Sequence, residues 1–93
     1  MNVATFHDAD DPGANDAFER WRREHSGGFV LNYGSPSDMM VHRTDCPHFI
    51  FREPRSLTSY KKVCAESIDD LQAWAAGHSS RSPGICRACS PRS

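Results

Sequence analysis

Four side chains in this sequence have the type and spacing to hold one metal ion. They form two short pairs, His42-x3-Cys46 and Cys86-x2-Cys89, and offer one imidazole and three thiolates. That is the ligand set of a closed tetrahedral zinc site. Each pair lets neighbouring side chains converge on one ion, and the long interval between the pairs is the part of the domain that the ion closes. The expectation is one structural Zn2+. With four protein ligands no coordination position remains for a water, so the metal is not expected to perform hydrolysis. No Gly-rich phosphate loop and no Ser/His/Asp order accompanies the pairs, and Asp69 and Asp70 suit the start of a helix, where the dipole favours them. The chain is therefore read as not an enzyme, with no small-molecule substrate.

Other ligand choices compete with this one. Cys64, at the end of an expected strand, can replace His42 as the fourth ligand; otherwise it is a small buried hydrophobe. His48 is a weaker replacement, because it lies two residues from Cys46 and their side chains would crowd on one side of an extended chain. Cys86-x2-Cys89 also has the spacing of a redox pair, but such a pair normally follows a strand and opens a helix. His7, His25 and His78 are read as solvent-exposed.

The elements that must position these ligands are short. Asp11 followed by Pro12 is a helix opening, and Ala14, Ala17, Phe18 and Trp21 then recur at helical spacing until Gly27 and Gly28. Residues 29–33 and 39–42 are β-prone and flank the turn chemistry of Gly34-Ser35-Pro36-Ser37, which predicts a hairpin. Residues 60–64 can add a third strand. Ser67 caps a second helix whose apolar stripe is Ile68, Leu71, Trp74 and Ala75, ended by Gly77. From His78 onward the composition is that of a loop, so the two cysteines there must be ordered by something other than secondary structure. The fold class is α+β: an N-terminal helix, a β-hairpin plus third strand, a second helix and a C-terminal zinc knuckle. Residues 1–10 are polar and aperiodic and are read as a flexible tail, leaving 11–93 as a single zinc-binding domain.

Composition sets the outer limits. Ninety-three residues, 38% of them hydrophobic, suit one small core and exclude a large enzyme fold. A folded part of roughly eighty residues often needs a metal or disulfide staple. The N-terminal residues lack the charged and apolar regions of a signal peptide, and no stretch approaches the ~18 apolar residues of a membrane span. A cytoplasmic protein with no membrane partner is expected. In that compartment four cysteines are metal ligands or free thiols rather than two disulfides.

The formal net charge of −1 is silent about nucleic acid until it is divided along the chain. Residues 1–25 hold six acids and three bases, whereas residues 26–93 hold six acids and eight bases. Basic residues cluster on both sides of the expected metal, and His48, Phe49, Phe51 and Tyr60 interleave with them, as suits phosphate contacts with a stacking option. The residues expected to bind DNA are Arg43, Arg52, Arg55, Lys61, Lys62 and Arg87.

The run V-H-R-T-D-C-P-H, a strand, a helix ending A-A-G, and then C-R-A-C-S-P resembles the Ada-type metal-binding domain. That family's pattern is C-x3-C, a strand and helix, then P-C-x2-C, and the resemblance covers about residues 38–91. It implies a zinc-bound domain that binds DNA. In the family the first cysteine accepts a methyl group from a damaged phosphate, and the matching position here is His42. An imidazole is not that thiolate nucleophile, so repair chemistry is not carried over. The loop from Pro47 to Ser59 is also longer than in the family. The function expected is a non-enzymatic zinc module that binds DNA, associated with DNA modification, repair or restriction. The alternative is a protein-protein interaction module with a structural zinc, docking a partner through Phe49, Ile50 and Phe51 or through the apolar face of the first helix.

Overall fold

Residues 29–43 form the expected hairpin, and the rest of the domain is built around it. The computed structural model describes residues 3–47, 58, 60–87 and 89. In chain order the elements are β1 (Ala4–Phe6), α1 (Ala14–Glu24), β2 (Phe29–Ser35), β3 (Asp38–Arg43), β4 (Lys61–Ala65), α2 (Ile68–His78) and β5 (Gly84–Ile85). The strands make one sheet in the order β1-β4-β2-β3-β5. The pairings are antiparallel except that of β5 with β3, which is parallel.

Each face of the sheet carries a helix, so β2 is not alternately apolar and polar: Val30 and Leu31 point to opposite faces and both are fully buried. Leu31, Val41, Val63 and Ala65 pack with Ile68, Leu71, Trp74 and Ala75 of α2. On the other face Val30 and Cys64 pack with Phe18 of α1, and with Cys46 and Cys86. Phe18 and, in part, Trp21 thus cover the domain's own sheet. Gly28 permits this closeness, since a Cβ there would sit 2.9 Å from the Trp21 ring and 3.1 Å from the Ala65 carbonyl. Each helix ends in a Trp-x3-His step: His25 stacks on Trp21 and His78 on Trp74, with ring centroids 4.1 and 3.7 Å apart. His25 is accordingly half-buried rather than solvent-exposed.

Three local expectations are corrected. Residues 4–6, assigned to a flexible tail, form an edge strand paired to β4, with Phe6 against Phe18 at 6.0 Å. Three residues carry too little pattern to declare a strand, and β4 and α1 supply what holds them. Helix α1 begins at Ala14, because the Asp11 carboxylate accepts the Gly13 N–H in a local turn instead of capping a helix that starts at Pro12. The C-terminal segment has a two-residue strand, Gly84–Ile85, whose pairing partner β3 lies far back in the sequence. Ser67 does cap α2, its hydroxyl accepting the Asp69 N–H. Among the described residues no helix is long and apolar enough to cross a membrane.

Lys62 is a further correction. It lies in β4 between Phe6 and Asn32, is only 3% exposed, and its Nζ donates to the Asn32 side-chain carbonyl. It is a core residue and no part of a DNA-facing surface. Phe18, fully buried among the side chains of the α1 face, should be the most sensitive position there: Phe18→Ala is expected to lose about 3–5 kcal/mol in urea unfolding, while Ile85→Ala at the exposed edge loses less than about 1 kcal/mol.

Candidate metal centre

Strand parity and register bring the ligands together. In β3, His42 points to the α1 face, opposite to Val41. A tight turn follows, closed by the Cys46 N–H on the Arg43 carbonyl at 3.1 Å, and it returns Cys46 to the same face. Strand β5 pairs Met40 with Gly84 and Val41 with Ile85, so the next residue, Cys86, comes beside His42. Its N–H extends the ladder by donating to the Val41 carbonyl at 2.9 Å. Cys89 is carried back over the end of β3, where the Arg43 N–H donates to its sulfur at 3.2 Å.

The four ligand atoms of His42, Cys46, Cys86 and Cys89 lie within 4.8 Å of one another. His42 Nδ1 is 3.4 Å from Cys46 Sγ, and Cys46 Sγ is 3.8 Å from Cys86 Sγ. An ion bound tetrahedrally by thiolates at about 2.3 Å and imidazole at about 2.05 Å has S–S edges of about 3.8 Å and S–N edges of about 3.5 Å. Both of these edges match a common centre, and the cluster can hold a metal ion. His42, Cys46 and Cys86 are buried and Cys89 is partly exposed. Burial pushes the Cys89 thiol up while the Arg43 N–H pulls it back, so a metal arriving here displaces a proton.

Cys64 stands outside this group. It is fully buried on the same sheet face, paired across β4 with Ala4 and Val30, and burial pushes its thiol well above the usual range. His48 lies outside the described residues.

A second layer of contacts fixes the turn between His42 and Cys46. Thr44, 2% exposed, uses every polar atom it has: its N–H donates to the Gly28 carbonyl, its hydroxyl is 3.0 Å from the His25 carbonyl and 3.1 Å from that of Ser26, and its carbonyl accepts Arg22 Nε at 2.9 Å. Arg22 is itself held by Glu19 at 2.8 Å and lies over the Phe18 ring. This ties the end of α1 to the ligand turn. Sequence reasoning missed both residues; the one available signal was a threonine between two ligands in H-R-T-D-C.

The residues expected to contact DNA are not all brought together. Arg43 and Arg87 are exposed and directly follow the ligands His42 and Cys86 in the chain. Arg43 also meets Asp45 at 3.4 Å, an exposed pair of little energetic weight. Lys61 pairs with Tyr33 whereas Arg43 pairs with Phe29, which places Lys61 about 13 Å further along the sheet. Arg52 and Arg55, together with Phe49, Ile50 and Phe51, lie outside the described residues.

Comparison with family models, with curated proteins and with solved structures finds no match for this chain, so the site is read from its own geometry. Two outcomes are expected. Thr44→Val should keep the helical circular dichroism but weaken metal binding roughly 10–100-fold in a chelator competition, because the ligand turn loses its tether. Cys64→Ala should keep one metal per chain by elemental analysis, whereas Cys86→Ala should not.

Proposed function

We propose that this chain is a non-enzymatic module in which His42, Cys46, Cys86 and Cys89 hold one structural Zn2+, with DNA bound at the surface beside the metal. The observation that carries the reading is the closed one-nitrogen, three-sulfur set, at edges of 3.4 and 3.8 Å. Soft thiolates disfavour magnesium, calcium and manganese, and a tetrahedral set of this kind suits zinc. With all four positions taken by protein, the ion's contribution is to cross-link β3 to the C-terminal segment. Water activation has no place in it.

The DNA half rests on where the metal sets charge. Arg43 follows His42 and Arg87 follows Cys86, so holding the ligands also fixes the backbone from which these two exposed side chains leave. Arginines on a rigid scaffold suit phosphates. Arg52 and Arg55, in the segment that leaves Cys46, extend the same reading, as does the Ada-type resemblance; Lys61 is at most peripheral and Lys62 is excluded by burial. A cytoplasmic setting is consistent with three reduced thiols used as ligands.

Fluorescence anisotropy with a duplex across a salt series tests this. Log affinity should fall linearly with log salt, and Arg43→Ala and Arg87→Ala should each reduce the slope by about 1. The Arg43 variant keeps the main-chain N–H that supports Cys89, so its metal content should be unchanged. Undetectable binding at low salt, or affinity indifferent to salt, removes the DNA half and leaves the metal.

A further inference from the structure

We infer that Cys89 is an oxidation site through which a hydroperoxide disassembles the metal centre and frees the C-terminal segment. The inference rests on the metal reading of the four ligands and is independent of DNA binding. Cys46 is 0% and Cys86 1% exposed, and His42 only 7%. Cys89 is the ligand that reaches the surface, so a small oxidant in solvent meets its sulfur first. A metal-bound sulfur is held as thiolate, the nucleophilic form, and the Arg43 N–H at 3.2 Å supports that charge. Two further thiol sulfurs lie within 4.8 Å of it, so a resolving partner is already in place. Cys64 has none of these features: it is fully buried and lies outside the cluster.

The chemistry balances with the peroxide as sole oxidant. The Cys89 thiolate attacks one peroxide oxygen; an S–O bond forms, the O–O bond breaks, and the departing hydroxide, or alkoxide from an organic peroxide, takes a proton from solvent. Sulfur loses two electrons and the peroxide gains them, giving the sulfenic acid. The Cys86 thiolate, two residues away across the knuckle, then attacks that sulfur. An S–S bond forms, the S–O bond breaks, and hydroxide leaves to become water. The disulfide removes the Cys86 and Cys89 sulfurs from the ligand set, so His42 and Cys46 alone would remain to hold an ion, which would leave with its charge unchanged.

The fold gives this event a readable consequence. Strand β5 is two residues long, Ile85 is 45% exposed, and Gly84 is exposed as well. Among the described residues, two ladder pairs, the Cys86 N–H on the Val41 carbonyl and the ligand side chains of Cys86 and Cys89 tie the segment to β3. Removal of the metal should therefore release it from the edge of β3 while the α2 face, which contains no ligand, stays packed.

The test uses the metal-loaded chain, its metal content measured first. Hydrogen peroxide is added with a chromophoric chelator, and cysteine states are mapped by mass spectrometry over time. Expected are release of the ion, Cys89 as the first residue modified, a Cys86–Cys89 disulfide as product, and faster amide exchange at 84–86. Cys89→His, which retains a fourth ligand without a thiol, should lose peroxide-driven release, and Cys64→Ala should release like the parent. A loaded centre that keeps its metal under peroxide, or modification of Cys46, Cys64 or Cys86 before Cys89, overturns the inference and leaves the metal reading standing. A chain that binds no metal overturns both. Where Cys89→His does not fold, the order of modification in the parent chain decides.

Discussion

The parallel pairing of β5 with β3 is the contact on which the rest of the site depends. It is short, yet its register sets Cys86 beside His42, and through Cys86 it brings Cys89 to the Arg43 N–H. A shift of one residue would turn Cys86 to the α2 face and leave the cluster with two ligands. Two ladder pairs cannot hold such a register alone. An ion held by the cluster and this register would therefore support each other, the strand presenting the ligands and the coordinated ligands keeping the strand in place. Cys46 and Cys86 are forty positions apart, and closing such an interval in the unfolded chain is entropically unfavourable, so the binding energy of the ion becomes folding energy.

The two faces of the sheet divide the work. The α2 face is an ordinary apolar core of Leu31, Val41, Val63, Leu71 and Trp74, with Tyr33 edge-on to Trp74 at 5.3 Å, and no ligand belongs to it. The α1 face mixes apolar packing with the cluster, since Phe18 and Val30 belong to the same buried group as Cys46 and Cys86. Thr44 and Arg22 join the two functions by anchoring the ligand turn to the end of α1. Packing of the first helix and geometry of the centre are in this way one arrangement rather than two.

Charge is organised by the same constraint. A divalent ion held by three thiolates and an imidazole would carry a net charge of −1 in a mostly buried site, and Arg22, Arg43 and Arg87 lie next to the cluster in chain or in space. Arg22 is committed inward, to Thr44 and Glu19, while Arg43 and Arg87 face solvent. Lys62 shows why a count of basic residues overstates a surface: alternation along β4 turns it toward Asn32 within the domain, while Lys61, one residue earlier, stays near the hairpin end of the sheet.

The sequence by itself determined the α+β class, the hairpin, the capped second helix and the ligand types, because each is written in local signals: alternation, turn residues, a serine cap and two close-spaced pairs. It left open whether His42 or Cys64 belongs with the other three, since both stand at strand ends. Tertiary structure decided that through strand order: both residues face α1, but β5 pairs with β3 rather than β4, so Cys86 comes beside His42 while Cys64 stays in the apolar packing with Phe18. The same long-range pairing made strands of residues 4–6 and 84–85, buried Lys62 and recruited Thr44 and Arg22. None of these was legible locally, because a two- or three-residue strand has no period of its own and a side chain's burial is set by what the rest of the chain lays over it.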